Sequence, residues 1–198
     1  MVTMSFEFGF TLPNGTRIVH GEGSLTKPAC SPELGLPGTL QVLSPGHGHE
    51  SSCISFSGPN GLFQFDTTCR MPRHVHMSLR ADGPGLRYVV EKLIILNGIA
   101  VAEIKGEIYV IPPGCMVTIA HGVPHAWVAA PEGLDLQALG IADGSLVSNG
   151  RFLATKTLMN EEEYVQCDDL HSIRIVDMDV EYLKKNAWFV WGRSCRKL

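Results

Sequence analysis

Eight histidines occur in this chain of 198 residues, and the stretch from Arg70 to Ala130 arranges some of them, with one acid, as metal ligands would be arranged. His74-Val75-His76 places two imidazoles at i and i+2. Successive side chains of a strand point to opposite faces, so both rings share a face and can reach one point inside a barrel. The spacing recurs at His47-Gly48-His49, which makes the pair alone a weak signal. Glu91 sits in the apolar run Tyr88–Leu96, on the same alternate positions as Leu93 and Ile95. A carboxylate among leucine and isoleucine is costly unless a cation pairs with it, and the opposite parity would bury Lys92 instead. Further on, Gly122 makes a tight turn that delivers His125 onto the run His125–Ala129. The expectation is that His74, His76, Glu91 and His125 meet at one ion from three strands. One or two octahedral positions would stay open for metal-assisted catalysis. His121, beside the turn, is the alternative to His125.

The elements that must position these residues read as β-structure. Between residues 62 and 142, short apolar runs alternate with Gly, Pro or Asp every 8–12 residues. That rhythm belongs to an all-β sandwich or barrel rather than to βαβ units. Residues 1–60 are rich in turn residues and are expected to wrap the core as an arm. Within them, Phe6, Phe8 and Phe10 alternate ahead of Asn14-Gly15, a hairpin signal. Residues 61–157 are expected to form the barrel and 158–198 a helical segment, within one domain. The acids Glu161, Glu162 and Glu163 suit a helix start. Asp177 or Asp179 is expected to cap a second helix with apolar positions Val180, Leu183, Ala187 and Val190. Trp188 and Trp191 would pack that helix onto the barrel or onto a partner.

Composition narrows the function. A mass of 21.6 kDa with 44% apolar and 18% charged residues suits one well-buried domain and excludes a disordered chain. The net charge of −4, with no basic block, argues against nucleic acid as a partner. No run approaches a membrane span, and no basic-then-apolar leader opens the chain. The six cysteines form no CxxC pair, so free thiols in a cytoplasmic setting are expected.

With these residues in place, the sequence resembles the cupin superfamily, including small stand-alone fungal cupins. The first cupin motif is matched by His74-Val75-His76, then Glu91, six residues and Gly98; the second by Gly114, five residues, Ala120-His121-Gly122, two residues and His125. Fifteen residues separate Gly98 from Gly114, matching the short spacer common in bacterial and small stand-alone cupins. Thr68 stands at the opening glycine, Ala120 at the usual proline and Ala129 at the usual asparagine. The fourteen residues between His76 and Glu91 imply an inserted loop, roughly Arg80–Arg87, at the barrel mouth.

The resemblance implies a double-stranded β-helix, the jelly-roll barrel, with an N-terminal strand and loop arm and C-terminal helices. It also implies a divalent transition metal, Fe(II) before Mn, Ni, Cu or Zn. The expected activity is a dioxygenase acting on a small hydroxylated, aromatic or polyketide-like molecule. The alternatives are a metal-dependent isomerase, cyclase or decarboxylase, and a non-catalytic binding protein. Glu91 would be a ligand or a general base. Phe63, Phe65, Leu93, Ile95 and Trp127 would line an apolar substrate pocket. Arg70 and Arg73 could hold an anionic group. A homodimer is expected, from the commonness of pairing among cupins of this size.

Overall fold

In the computed structural model, the described residues are 10–11, 13, 17–18, 25–28, 39–44, 60–68, 73–80, 82–158, 163–166 and 178–198. In chain order they form strands β1 (Phe10–Thr11), β2 (Arg17–Ile18), β3 (Leu25–Pro28), β4 (Thr39–Ser44), β5 (Asn60–Asp66) and β6 (His74–Leu79). Next come β7 (Leu86–Tyr88), β8 (Glu91–Gly98), β9 (Ala100–Ile104), β10 (Glu107–Ile111), β11 (Met116–Ile119) and β12 (His125–Ala129). The remainder are β13 (Arg151–Leu158), β14 (Glu163–Gln166), helix α1 (Val180–Asn186), β15 (Trp188–Trp191) and β16 (Ser194–Arg196).

Eight strands build the frame. In sheet I the order is β6-β12-β9-β10, and in sheet II β5-β13-β8-β11, with every neighbouring pair antiparallel. Taking these eight strands alone, the chain crosses between the sheets after β5, β6, β8, β10, β11 and β12, and only β9 and β10 follow one another as a hairpin. That traffic between two four-stranded sheets is the jelly roll, the architecture expected from the sequence. Gly98 makes the crossing from β8 to β9 possible. Its φ is +72°, and a Cβ there would lie 2.0 Å from the Arg151 carbonyl oxygen, so no other residue fits without moving β13.

The runs take the parity read from the sequence. Along β8, Glu91, Leu93 and Ile95 are buried while Lys92, Ile94 and Leu96 are exposed. The inward set meets Ala100, Ala102, Trp127 and Ala129 of sheet I, and Phe65, Phe152 and Ala154 complete the interior between the sheets. A second apolar cluster covers the outer face of sheet I. There Val101, Val110, Ala126 and Val128 pack against Leu134, Leu136, Leu183 and Phe189. Each fully buried side chain of this size contributes about 1.5–3 kcal/mol.

The C-terminal segment corrects the sequence reading. Glu163 belongs to strand β14, which pairs with β6, rather than to a helix. A helix does start at Asp179, whose Oδ1 accepts the Tyr182 backbone N–H at 2.7 Å, but it ends at Asn186. Ala187 and Val190 lie beyond it, and Trp188–Trp191 forms β15, running parallel to β10. Three- and four-residue spacing fits either outcome here, and consecutive aromatic and branched residues favour the open strand edge that β10 presents. The run Leu136–Ala142 forms turns rather than a strand, with Leu136, Ile141 and Ala142 buried in the outer cluster. The insertion after His76 folds as β7 against β6, closed by the Arg80 N–H donating to the Gly85 carbonyl at 3.0 Å. Phe10 pairs with Ile18 across β1 and β2, while the Asn14-Gly15 turn, His47, His49 and Arg70 fall outside the described residues. Among the described residues, no helix is long and apolar enough to cross a membrane.

Candidate metal centre

Three strands of the jelly roll bring four side chains to one point inside it. His74 and His76 point inward from β6, Glu91 from the start of β8 and His125 from the start of β12, and all four are at most 3% exposed. His74 and His125 are direct partners across β6 and β12. Nε2 of His74 lies 3.1 Å from Nε2 of His76, which lies 3.2 Å from Oε1 of Glu91. The other carboxylate oxygen, Oε2, lies 2.9 Å from Nε2 of His125. The donor atoms of the three histidines all fall within 4.8 Å of one another.

Local structure sets the tautomer of His125. Its Nδ1 is 2.9 Å from the Val123 carbonyl, which can only accept, so Nδ1 carries the proton in that bond. With that proton on Nδ1, Nε2 is the ring nitrogen left to face a carboxylate oxygen. That buried nitrogen makes no hydrogen bond. Two acceptors at 2.9 Å repel unless a proton or a metal ion lies between them, and one proton could satisfy only one pair among these five clustered atoms. Metal–nitrogen bonds of about 2.0–2.1 Å place adjacent donors of an octahedron about 3 Å apart, close to the separations here. The residues therefore fit a divalent transition metal. Three imidazoles and a carboxylate, without thiolate, suit iron, manganese, nickel, copper or zinc.

The histidine pair opens β6, the acid opens β8 and the third histidine opens β12, all facing the interior of a jelly roll. This is the placement that the resemblance to the cupin motifs leads one to expect. Gly122, with φ of +67°, turns the chain into β12, and a Cβ there would press on the Tyr88 ring at 3.2 Å. No family model matches the chain, and no curated protein does. Among solved structures it is similar to the polyketide cyclase RemF of Streptomyces resistomycificus, at 14% identity and a TM-score of 0.43 over 78% of this chain and 89% of that one. A cupin 2 conserved barrel domain protein of Rhodopseudomonas palustris gives 13%, 0.42, 85% and 95% for the same measures. A cupin-2 domain protein of Rhodospirillum rubrum gives 17%, 0.42, 81% and 83%.

The remaining expected residues divide. His121 is exposed and its Nδ1 donates to the Tyr88 carbonyl at 3.0 Å, outside the cluster that His125 joins. Leu93, Ile95, Phe65 and Trp127 share the interior, where Phe65 stacks on Phe152 with centroids 4.7 Å apart and Trp127 lies 6.5 Å from the same ring. The side chain of Phe63 falls outside the described residues. Arg73 does not present a free cation to a ligand. Its guanidinium forks onto Glu103, Nε to Oε2 and Nη2 to Oε1, both at 2.9 Å. Sequence reasoning missed Glu103, although an acid inside the apolar run Ile99–Ile104 is the same signal that drew attention to Glu91. Tyr109 packs beside the interior cluster, and its hydroxyl is held above its ordinary pKa by burial first, then by Cys195 and Glu107.

Proposed function

We propose that this chain is a metal-dependent cupin enzyme, a dioxygenase acting on a small hydroxylated organic molecule, with His74, His76, Glu91 and His125 as the ligands of a divalent transition ion. The convergence of four buried side chains, linked by three contacts of 2.9–3.2 Å, carries the reading. When bound, such an ion supplies Lewis acidity and, if it is iron, a one-electron partner for dioxygen. Iron(II) fits the all-nitrogen-and-oxygen donor set, and four protein ligands leave two octahedral positions. The histidines hold their rings fixed by β-pairing and, at His125, by the Val123 carbonyl. Glu91 has an oxygen toward each of two histidines, so either oxygen is placed to accept the proton of a substrate hydroxyl brought into the cluster. Trp127 and Leu93 back the cluster with apolar surface that excludes water and favours an aromatic or enolisable substrate.

Oxygen uptake tests the proposal. Protein reconstituted with Fe(II) is offered a panel of small phenols, flavonols and enolisable diketones. Substrate-dependent consumption of O₂, lost in His76→Ala, supports the dioxygenase. Turnover of a panel member without O₂ consumption would replace it with a Lewis-acid isomerase, cyclase or decarboxylase. Metal binding without turnover of any panel member would favour a binding protein.

A further inference from the structure

Strand β6 carries two of the four donors and is paired with β14 over four positions and with β7 over three, yet it barely pairs with β12, the strand that carries His125. Across β6 and β12 the described residues show one paired position, His74 with His125. By contrast, β12 and β9 pair over five positions, from His125 with Ile104 to Ala129 with Ala100. The histidine-bearing seam is therefore held by little of its own ladder. On the far side of the sheet from the histidines, one residue before His74, Arg73 reaches across β12 to Glu103 on β9. It passes over Ala126, the partner of Glu103 in the β12–β9 register. Glu103 is 1% exposed and Arg73 is 14% exposed on its side chain, so the pair is almost wholly out of water. The same carboxylate accepts the Gly106 backbone N–H in the β9–β10 turn, which fixes the acid before the arginine arrives.

A buried ion pair is poor value as a stabiliser, because desolvating two charges offsets most of their attraction. A two-bond fork, however, sets distance and angle together. We infer that Arg73 and Glu103 are positioning residues: their fork across the back of β12 sets the separation of His74 from His125 and so tunes the affinity of the ion. The inference rests on the metal reading of the cluster. It assigns the pair no contact with substrate or metal.

The test uses Co(II) as probe on the full chain, reading its dissociation constant and its visible ligand-field spectrum, with apo-protein melting measured in parallel. Arg73→Met combined with Glu103→Gln removes both charges and keeps an acceptor for Gly106, so the apo fold is expected to melt close to wild type. Its Co(II) affinity is expected to fall about 10- to 100-fold, the range for residues that orient metal ligands, with an altered spectrum. Arg73→Lys keeps the charge but not the fork and is expected to fall between the two. Wild-type affinity and spectrum in the double variant would overturn the inference and leave the metal site standing. Failure of wild type to bind Co(II) at all would overturn the metal reading and the inference with it. Should the double variant not fold, Arg73→Lys decides alone, an unchanged affinity and spectrum overturning the inference.

Discussion

The two sheets of the jelly roll bury themselves differently. Sheet I is apolar on both sides, with all five residues of β12 and the first four of β9 buried, because a second cluster from α1, β15 and the 131–142 turns covers its back. Sheet II alternates strictly along β8, and Ile94, Leu96 and Met116 remain at the surface. Three of the four candidate ligands sit on the sheet covered on both faces, and the one acid comes from the sheet whose outer face, among the described residues, is uncovered. Metal sites gain from rigid support, since ligands out of place by about 0.5 Å already lose productive geometry. The backing lies directly behind His125 through Ala126 and Val128 of β12, whereas no described residue of β6 joins it.

Removing the clamp tests that contrast most severely. Phe189→Ala empties a site on the back of sheet I, far from the interior histidines, and is expected to cost about 3–5 kcal/mol in denaturant unfolding. Metal affinity should drop as well if the backing matters, which isothermal titration would read. At the seam between the sheets, Gly98→Ala forces a side chain onto the Arg151 carbonyl in a left-handed backbone and is expected to cost about 3 kcal/mol. A smaller, chemical difference concerns thiols. Burial pushes the Cys115 thiol pKa up, whereas Cys195 is exposed. At neutral pH, Cys115 should carry less thiolate than an ordinary thiol and label slowly with iodoacetamide, faster as pH rises, while the exposed Cys195 is open to the reagent; peptide mapping by mass spectrometry follows both. Smallest of all, Met116→Ser or Ile94→Ser on the open face should change stability by about 0.5 kcal/mol or less. A large loss there would mean that something covers sheet II.

Much of the site was written in local alternation. His74 and His76 two apart, Glu91 in step with Leu93 and Ile95, and His125 after a glycine turn are each one-strand facts, and parity along a strand survives folding. The strand rhythm likewise gave the two-sheet class. What alternation cannot carry is the partner of an edge. Trp188–Trp191 reads as the end of a helix until β10 offers a parallel neighbour eighty residues back, and Glu163 reads as a helix start until β6 takes it as a strand. The Arg73–Glu103 fork spans thirty residues and crosses an intervening strand, so no window of the sequence contains it. Arg73 read as a cation for a ligand because it stands just before the strand that carries His74 and His76.

Metal content of protein purified without an affinity metal most directly tests whether the four donors form one centre. Wild type and His76→Ala, each dialysed and measured by elemental analysis alongside their protein concentration, should differ sharply: about one transition ion per chain in wild type and little in the variant. An equal content in both, or none in wild type even after anaerobic loading with Fe(II), would contradict the account.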